Sequence, residues 1–231
     1  MKRLFFCLAI LASSVRAIAI NMAHARRFEE TGTASTTITK RQDDWDVERN
    51  ELTSVAGVGC KPITVIFARG TIELGNVGEL VGPPFFNDLD DLIGADNIAV
   101  QGVDYAATIA GYLIGGDPGG AQTTADLLNQ AASNCPDTQI VLSGYSQGAM
   151  EVHLGEAMVS EEVAAQIAAV VVFGDPFKGR PFPNVDSSKV MTYCFNDDFI
   201  CDDLPVVDTY HLEYVVDTPA AATFVQGLVS Y

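Results

Sequence analysis

The segment that decides the fold is GYSQGAM, residues 144–150, which follows directly on the apolar run QIVLS, residues 139–143. A short apolar run of this kind indicates a buried strand, and the residues after Ser146 are typical of a helix. The pattern Gly-x-Ser-x-Gly between a strand and a helix is typical of a serine nucleophile held on a sharp turn. The glycines permit the turn and let the helix pack close to the strand. An ordinary loop is the alternative, and the flanking strand and helix favour the nucleophile.

The rest of the chain alternates short apolar runs with helix-like stretches. Five runs predict strands, at residues 62–68, 97–103, 139–143, 168–173 and 189–193. Helical spacing predicts helices at residues 120–133, 147–159, 161–168 and 218–229. This alternation predicts an α/β fold with a doubly wound, mainly parallel sheet of five strands. In such sheets functional residues lie at the carboxyl ends of the strands, where Ser146 is expected.

The first 19 residues have the pattern of a secretory signal peptide. Lys2 and Arg3 precede the apolar run at residues 4–12, and the small residues Ala17 and Ala19 follow. The run is too short for a membrane anchor, and no later segment has about 18 consecutive apolar residues. We therefore expect a secreted, extracellular protein without a membrane anchor.

A second N-terminal segment, residues 20–41, is rich in Ser, Thr and charge and ends in the dibasic pair Lys40-Arg41. We interpret it as a propeptide, with a retained disordered tail as the alternative, and expect residues 42–231 to form a single catalytic domain. Removal of residues 1–41 takes away seven of the 13 Lys and Arg residues but two of the 30 acids. The resulting net charge near −22 would repel phosphate backbones, so we expect no nucleic-acid partner.

Four cysteines remain once Cys7 leaves with the signal peptide, namely Cys60, Cys135, Cys194 and Cys201. An even number in a secreted chain indicates two disulfides, with three possible connectivities. A metal site is the rival interpretation, but the chain has no Cys-x-x-Cys pair and three histidines in all. We therefore expect no metal site.

A serine hydroxyl needs a base, and elimination selects one of the three histidines. His24 lies in the segment expected to be removed. His153 is seven residues beyond Ser146, about 10 Å along the predicted helix and out of hydrogen-bond reach, so we expect a surface or packing role for it. His211, just before the last helix, is the expected base. An acid should lie between Ser146 and His211, and the residues leave seven candidates: Asp175, Asp186, Asp197, Asp198, Asp202, Asp203 and Asp208.

The chain resembles the fungal cutinase family, secreted serine esterases with a small, three-layer α/β-hydrolase fold. The resemblance covers most of residues 59–231. It rests on motifs in the same order: residues 68–76 (ARGTIELGN), 101–103 (QGV), 135–136 (CP), 144–148 (GYSQG), 173–174 (FG), and 194–201 (CFNDDFIC) with His211-Leu212 after them.

The resemblance implies roles that the residues alone left open. The family's Cys-x-x-x-Asp-x-x-Cys loop, laid on residues 194–201, selects Asp198, with Asp197 as the runner-up after a one-residue slip. It also implies the disulfides Cys194–Cys201 and Cys60–Cys135. The oxyanion donors would be the Thr71 hydroxyl and N–H and the Gln147 N–H. Two apolar loops would flank the serine, with the rim residues Ile109, Tyr112, Leu113, Ile114, Leu204, Val206 and Val207; the alternative is that these are ordinary core residues.

The resemblance therefore implies a secreted, monomeric serine esterase that hydrolyses cutin-like polyesters and short-chain esters through an acyl-enzyme, without a cofactor. An acetylxylan esterase of the same fold is the first alternative, and it would need a smaller acyl pocket and a more polar rim. A non-catalytic secreted binding protein is the second. The presence of Ser146, Asp198 and His211 together argues against it.

Overall fold

The computed structural model describes residues 46–52 and 55–231. The predicted signal peptide, residues 1–19, and the predicted propeptide, residues 20–41, lie outside the described residues. The centre of the fold is a five-stranded sheet in the order β2-β1-β3-β4-β5, and every pair of neighbours is parallel. The strands are β1 Ile63–Ala68, β2 Ile98–Gly102, β3 Gln139–Tyr145, β4 Ile167–Phe173 and β5 Val190–Tyr193. All five predicted strands are confirmed, and the sheet is wholly parallel.

Helices cover both faces of the sheet. They are α1 Gly82–Ile93, α2 Ile109–Leu113, α3 Pro118–Asn134, α4 Gln147–Glu156, α5 Glu161–Ala164 and α6 Thr218–Gln226. Short 3₁₀ helices lie in the connections, at Ala95–Asn97, Ser187–Lys189, Phe199–Asp202, Tyr210–Leu212 and Tyr214–Asp217. The helix predicted at 161–168 ends earlier, because β4 already begins at Ile167.

Two apolar cores lie on opposite faces of the sheet, because alternate residues of each strand point to opposite sides. On β1, Val65 and Phe67 pack against α1 and α6, while Ile66 packs on the other face against α3 and α4. The central strands β1 and β4 are buried on both faces. This explains why they are almost wholly apolar in sequence, and it confirms the three-layer, doubly wound architecture.

Helix α1 was not among the predicted elements. It begins at Gly82-Pro83-Pro84, three residues that usually mark a turn. Proline is nevertheless tolerated in the first helical turn, where its missing N–H has no helical partner. The helix is stabilised by packing, since Phe85, Phe86, Leu89 and Ile93 are buried against the sheet.

The sheet register brings the carboxyl ends of four strands together. Ala68 at the end of β1 pairs with Gly144 of β3, and Phe173 of β4 pairs with both Tyr145 and Tyr193. The segments that follow β1, β3, β4 and β5 therefore meet at one edge of the sheet.

Two disulfides cross-link the chain. Cys60 is bonded to Cys135, just after α3, with the Cα atoms 5.6 Å apart. Cys194 is bonded to Cys201 across seven residues, with the Cα atoms 6.1 Å apart. This is the connectivity that the resemblance implies. The first closes a loop at the amino-terminal end of β1 and β3, and the second lies just after β5, at the opposite end of the sheet.

Residues 46–52 cover the outer edge of β2. The Glu51 N–H donates to the Val100 carbonyl over 3.0 Å, and the Val100 N–H donates to the Glu51 carboxylate over 2.9 Å. The Arg49 carbonyl accepts from the Gly102 N–H over 2.8 Å. Within the described part of the chain, no helix is long and apolar enough to cross a bilayer.

Candidate active site

Ser146 lies on a tight turn between β3 and α4. Its φ of +56° and ψ of −122° are unusual for a residue with a side chain, and such strain is concentrated at functional sites. Two glycines make the turn possible. A Cβ on Gly148 would lie 2.0 Å from the Ala68 carbonyl oxygen, and a Cβ on Gly144 would lie 2.5 Å from the Gly148 carbonyl oxygen. The turn therefore presents Ser146 at the carboxyl end of β3, as the sequence pattern predicts.

The structure brings Ser146, His211 and Asp198 into one hydrogen-bonded chain. His211 Nε2 is 2.9 Å from Ser146 Oγ, and His211 Nδ1 is 2.8 Å from Asp198 Oδ2. All three side chains are buried. Of the seven candidate aspartates, Asp198 is therefore the one in contact with the histidine, while the runner-up Asp197 is exposed.

The imidazole ring of His211 is held from several sides. The Tyr145 ring stacks on it, with centroids 5.2 Å apart, and the Tyr145 hydroxyl donates to the His211 carbonyl over 2.7 Å. The His211 N–H donates to Asp208 Oδ1 over 3.0 Å. Behind the ring lies Gly174, with φ +55°, where a Cβ would lie 2.7 Å from His211 Cε1. The glycine is therefore required for the approach of the histidine to β4.

Asp198 accepts hydrogen bonds on both carboxylate oxygens. Oδ1 accepts from the Ile200 N–H over 2.9 Å, and Oδ2 accepts from His211 and from the Tyr214 hydroxyl over 2.7 Å. Burial raises the pKa of Asp198, but the hydrogen bonds and charge of His211, with the donors Tyr214 and Ile200, outweigh burial and lower the pKa. Sequence reasoning missed Tyr214, since nothing in the pattern separates it from the other tyrosines.

His153 is not at the surface but buried. Its Nε2 lies 3.0 Å from Asp175 Oδ2, and its ring stacks on Phe182 with centroids 3.9 Å apart. The expectation that it lies away from the serine is met, and of the two roles considered for it, packing is the right one. Asp175, another of the seven candidates, is thereby paired with a different histidine.

The segment after β1 carries Thr71 to the site, and the half-buried carboxylate of Glu73 fixes its shape. Glu73 Oε2 accepts from the Gly70 N–H over 2.6 Å, and Oε1 accepts from the N–H groups of Glu79 and Leu80, each over 3.0 Å. Burial raises the pKa of Glu73 more than these three N–H donors lower it. Sequence reasoning missed Glu73 too, although it lies inside the quoted motif at residues 68–76.

Thr71 faces the start of α4, where Gln147 is the first residue and is fully buried. Thr71 Oγ1 lies 2.9 Å from the Gln147 side-chain amide. Because α4 begins at Gln147, its main-chain N–H belongs to the first helical turn and has no acceptor within the helix. The Thr71 side chain therefore contacts the residue that directly follows Ser146.

The structure describes both segments predicted to form the apolar rim, and the first of them is a short helix where a loop was expected. Ile109–Leu113 form the short helix α2, with the Thr108 hydroxyl accepting from the Gly111 N–H over 3.0 Å as its N-cap. The exposed rim residues are Leu113, Ile114 and Leu204, while Ile109, Tyr112, Val206 and Val207 are half-buried. Ile72 and Phe199, the sequence neighbours of Thr71 and Asp198, are also exposed.

Ser146 lies on a strand-to-helix turn and is hydrogen-bonded to a histidine, which is itself hydrogen-bonded to a carboxylate. This arrangement defines the class of serine hydrolases with an α/β-hydrolase fold. Residues 59–229 match the sequence model of the family described as Cutinase. The chain belongs to the cutinase family, and it is a carboxylic ester hydrolase.

Individual relatives agree with this assignment. A cutinase of Botryotinia fuckeliana is 43% identical over 173 residues, which are 75% of this chain and 86% of the relative. A cutinase of Pyrenopeziza brassicae is 45% identical over 172 residues, or 74% and 85% of the two chains. The Trichoderma reesei cutinase, solved with a C11Y4 phosphonate inhibitor, is 33% identical with a TM-score of 0.76 and covers 98% of this chain and 93% of its own.

An acetylxylan esterase structure is also similar, with a TM-score of 0.63 and 21% identity, covering 74% of this chain and all of that chain. At this identity the likeness shows the shared fold alone.

Proposed function

We propose that the protein is a secreted cutinase that hydrolyses cutin-like polyesters and short-chain esters, with Ser146, His211 and Asp198 as its catalytic triad. The observation that carries the proposal is the unbroken hydrogen-bond chain from Asp198 Oδ2 through His211 to Ser146 Oγ. In acylation, Ser146 Oγ attacks the ester carbonyl carbon while its proton passes to His211 Nε2. The same proton then leaves with the alcohol as the C–O bond breaks.

Water completes the cycle by hydrolysing the acyl-enzyme. His211 Nε2 takes a proton from the water as its oxygen attacks the acyl carbon, and returns that proton to Ser146 Oγ when the acid leaves. Asp198 stabilises the imidazolium and holds His211 in the tautomer that carries a proton on Nδ1. The N–H and hydroxyl of Thr71 and the N–H of Gln147 donate to the oxyanion that forms in each step.

The exposed apolar rim supports a polyester substrate over a sugar ester. Leu113, Ile114 and Leu204 are exposed, and so are Ile72 and Phe199, which adjoin Thr71 and Asp198 in the chain. Exposed apolar side chains favour contact with an apolar solid, whereas an acetylated xylan would favour polar groups at these positions.

Secretion, processing and a monomeric state belong to the same proposal. Two disulfides support an oxidising compartment, and the predicted signal peptide, residues 1–19, supports export. We propose cleavage after Lys40-Arg41, which leaves a single domain of residues 42–231. Mass spectrometry of the secreted protein would locate its N-terminus, and light scattering would report its mass.

The substrate is tested with p-nitrophenyl esters from acetate to palmitate and with an insoluble polyester film, using Ser146→Ala as the matched control. Turnover of butyrate and longer esters together with release from the film is the expected result. Turnover confined to acetate would favour the acetylxylan esterase instead. Equal activity of Ser146→Ala and the wild type would refute the assigned nucleophile.

A further inference from the structure

The side chain of Gln147 occupies a closed position between the oxyanion segment and the rim helix α2. Its two amide heteroatoms make three contacts: 2.9 Å to Thr71 Oγ1, 3.1 Å to the Thr108 carbonyl oxygen and 3.1 Å to the Tyr112 nitrogen. The approach to α2 is close, because a Cβ on Gly111 would lie 2.7 Å from the amide heteroatom on the Tyr112 side. A main-chain role for Gln147 in the oxyanion hole leaves this side chain unexplained.

Two of the three contacts fix the direction of the amide. The Thr108 carbonyl can only accept and the Tyr112 N–H can only donate, so the Gln147 amide nitrogen faces Thr108 and its oxygen faces Tyr112. In this orientation the amide nitrogen also donates to Thr71 Oγ1. The opposite orientation would set two acceptors against each other, the Thr108 carbonyl oxygen and the amide oxygen of the fully buried Gln147.

The direction of the amide decides what the Thr71 hydroxyl can do. A hydroxyl has one proton to donate. If Thr71 donated that proton to Gln147, it could not donate it to a developing oxyanion. Because the amide donates to Thr71 Oγ1, the threonine proton remains free, and the stiff χ1 of a β-branched side chain keeps the oxygen in place.

We propose that Gln147 is a positioning residue for the oxyanion hole. Its side-chain amide orients the Thr71 hydroxyl as a donor toward the substrate oxygen. This inference rests on the proposed function. The same amide binds the first turn of α2 at Thr108 and Tyr112, so the orientation of the hydroxyl is coupled to the position of the apolar rim helix.

The test compares Gln147→Glu with Gln147→Met in the protein secreted from the full chain. At pH 8 a carboxylate accepts from Thr71 and takes its proton away from the oxyanion. Loss of one oxyanion donor lowers kcat by about 10²–10³, so we expect this loss for Gln147→Glu, with KM little changed. Methionine neither donates nor accepts strongly, which leaves the hydroxyl free to rotate, and we expect a loss of about tenfold or less.

Two further measurements separate orientation from a general disturbance. Thr71→Val, which removes the hydroxyl at nearly constant shape, should lose about as much kcat as Gln147→Glu, and the double variant should lose no more than either alone. The kcat of Gln147→Glu relative to wild type should rise as the pH falls, because a protonated carboxyl group can donate to Thr71. Gln139→Glu, a glutamine at the far end of β3, is the matched control for the added charge.

Three results would overturn the inference: Gln147→Glu within threefold of wild type, equal losses for the Glu and Met variants, or losses that multiply in the double variant. Melting temperatures show whether each variant is folded at the assay temperature. An inactive wild type, or an active Ser146→Ala variant, would refute the proposed function itself. The Gln147 variants are therefore compared with a wild type that hydrolyses the esters, so that failure of this inference is distinct from failure of the proposed function.

Discussion

Glu151 is a buried acid whose ionisation should control the stability of the fold near neutral pH. It lies on α4 and is fully buried, with Oε1 accepting from the Asp117 N–H over 2.7 Å. Oε2 has no hydrogen-bond partner among the described residues, and it lies close to the position that a Cβ on Gly120 would occupy. Burial, and to a lesser extent the Asp117 carboxylate, raise the pKa of Glu151 to about 7, against the opposing effect of the N–H groups of Asp117 and Ala121.

The raised pKa fixes both the sign and the size of the effect. Between pH 4.5 and about 7 the folded protein keeps a proton on Glu151 that the unfolded chain has lost, so unfolding releases a proton and stability falls as the pH rises. Above about pH 7 the carboxylate is charged in both states and the loss is complete. From 4.5 to about 7, at roughly 1.4 kcal/mol for each pH unit, the loss amounts to about 3 kcal/mol as an upper value.

Glu151→Gln imitates the protonated acid and should remove this dependence. We expect it to exceed the wild type in free energy of unfolding by about 3 kcal/mol at pH 8.5 and to match it within about 0.5 kcal/mol at pH 4.5. Urea unfolding at several pH values, with the disulfides intact, measures the difference. Glu162→Gln, at an exposed position on α5, controls for the loss of one negative charge in an acidic protein. A wild type and a Glu151→Gln variant whose stabilities change in parallel with pH would refute the reasoning.

Three predictions concern the triad. Asp198→Asn should lower kcat by about 10⁴, whereas Asp197→Asn, at an exposed position, should leave the hydrolysis of p-nitrophenyl butyrate unchanged; a loss for Asp197→Asn with none for Asp198→Asn would mean that the two roles are exchanged. Tyr214→Phe removes a donor to the Asp198 carboxylate, and since hydrogen bonds to charged groups contribute about 1.5–3 kcal/mol, kcat should fall by between tenfold and a hundredfold, while an unchanged kcat would contradict its positioning role. Gly174→Ala sets a Cβ against His211 and should lower both the melting temperature and, by more than about a hundredfold, kcat; a fully active variant would show that the ring has room to move.

The sequence predicts the sheet and the nucleophile because both depend on local patterns. A strand buried on both faces is a short apolar run, and the turn that carries Ser146 needs glycines at fixed positions beside it. His211 follows by elimination, since the chain has three histidines. Helix α1 is missed because its two opening prolines are turn signals everywhere except in the first helical turn.

The polar groups around the triad could not be predicted in the same way. Tyr214 contacts Asp198 across 16 residues of irregular chain, and the side chain of Gln147 contacts Thr71 across 76 residues. Glu151 resembles any other acid on a helix until the fold buries it. Such roles depend on which distant segments the sheet register brings together, and no local pattern encodes that. No local pattern separates Asp198 from the other six candidate aspartates either, so its selection depended on the resemblance to the cutinase family.

Residues 46–52, which cover the outer edge of β2, have a practical consequence for recombinant work. The family match begins at residue 59, which invites an expression boundary there. A protein cut at that point would lose the main-chain contacts of Arg49 and Glu51, and the outer side of β2 would present unpaired N–H and C=O groups. Exposed strand edges of this kind pair with other molecules. Residues 46–52 therefore protect the protein from self-association through the edge of β2. A shortened enzyme designed without them should precipitate on concentration, although its triad is chemically intact.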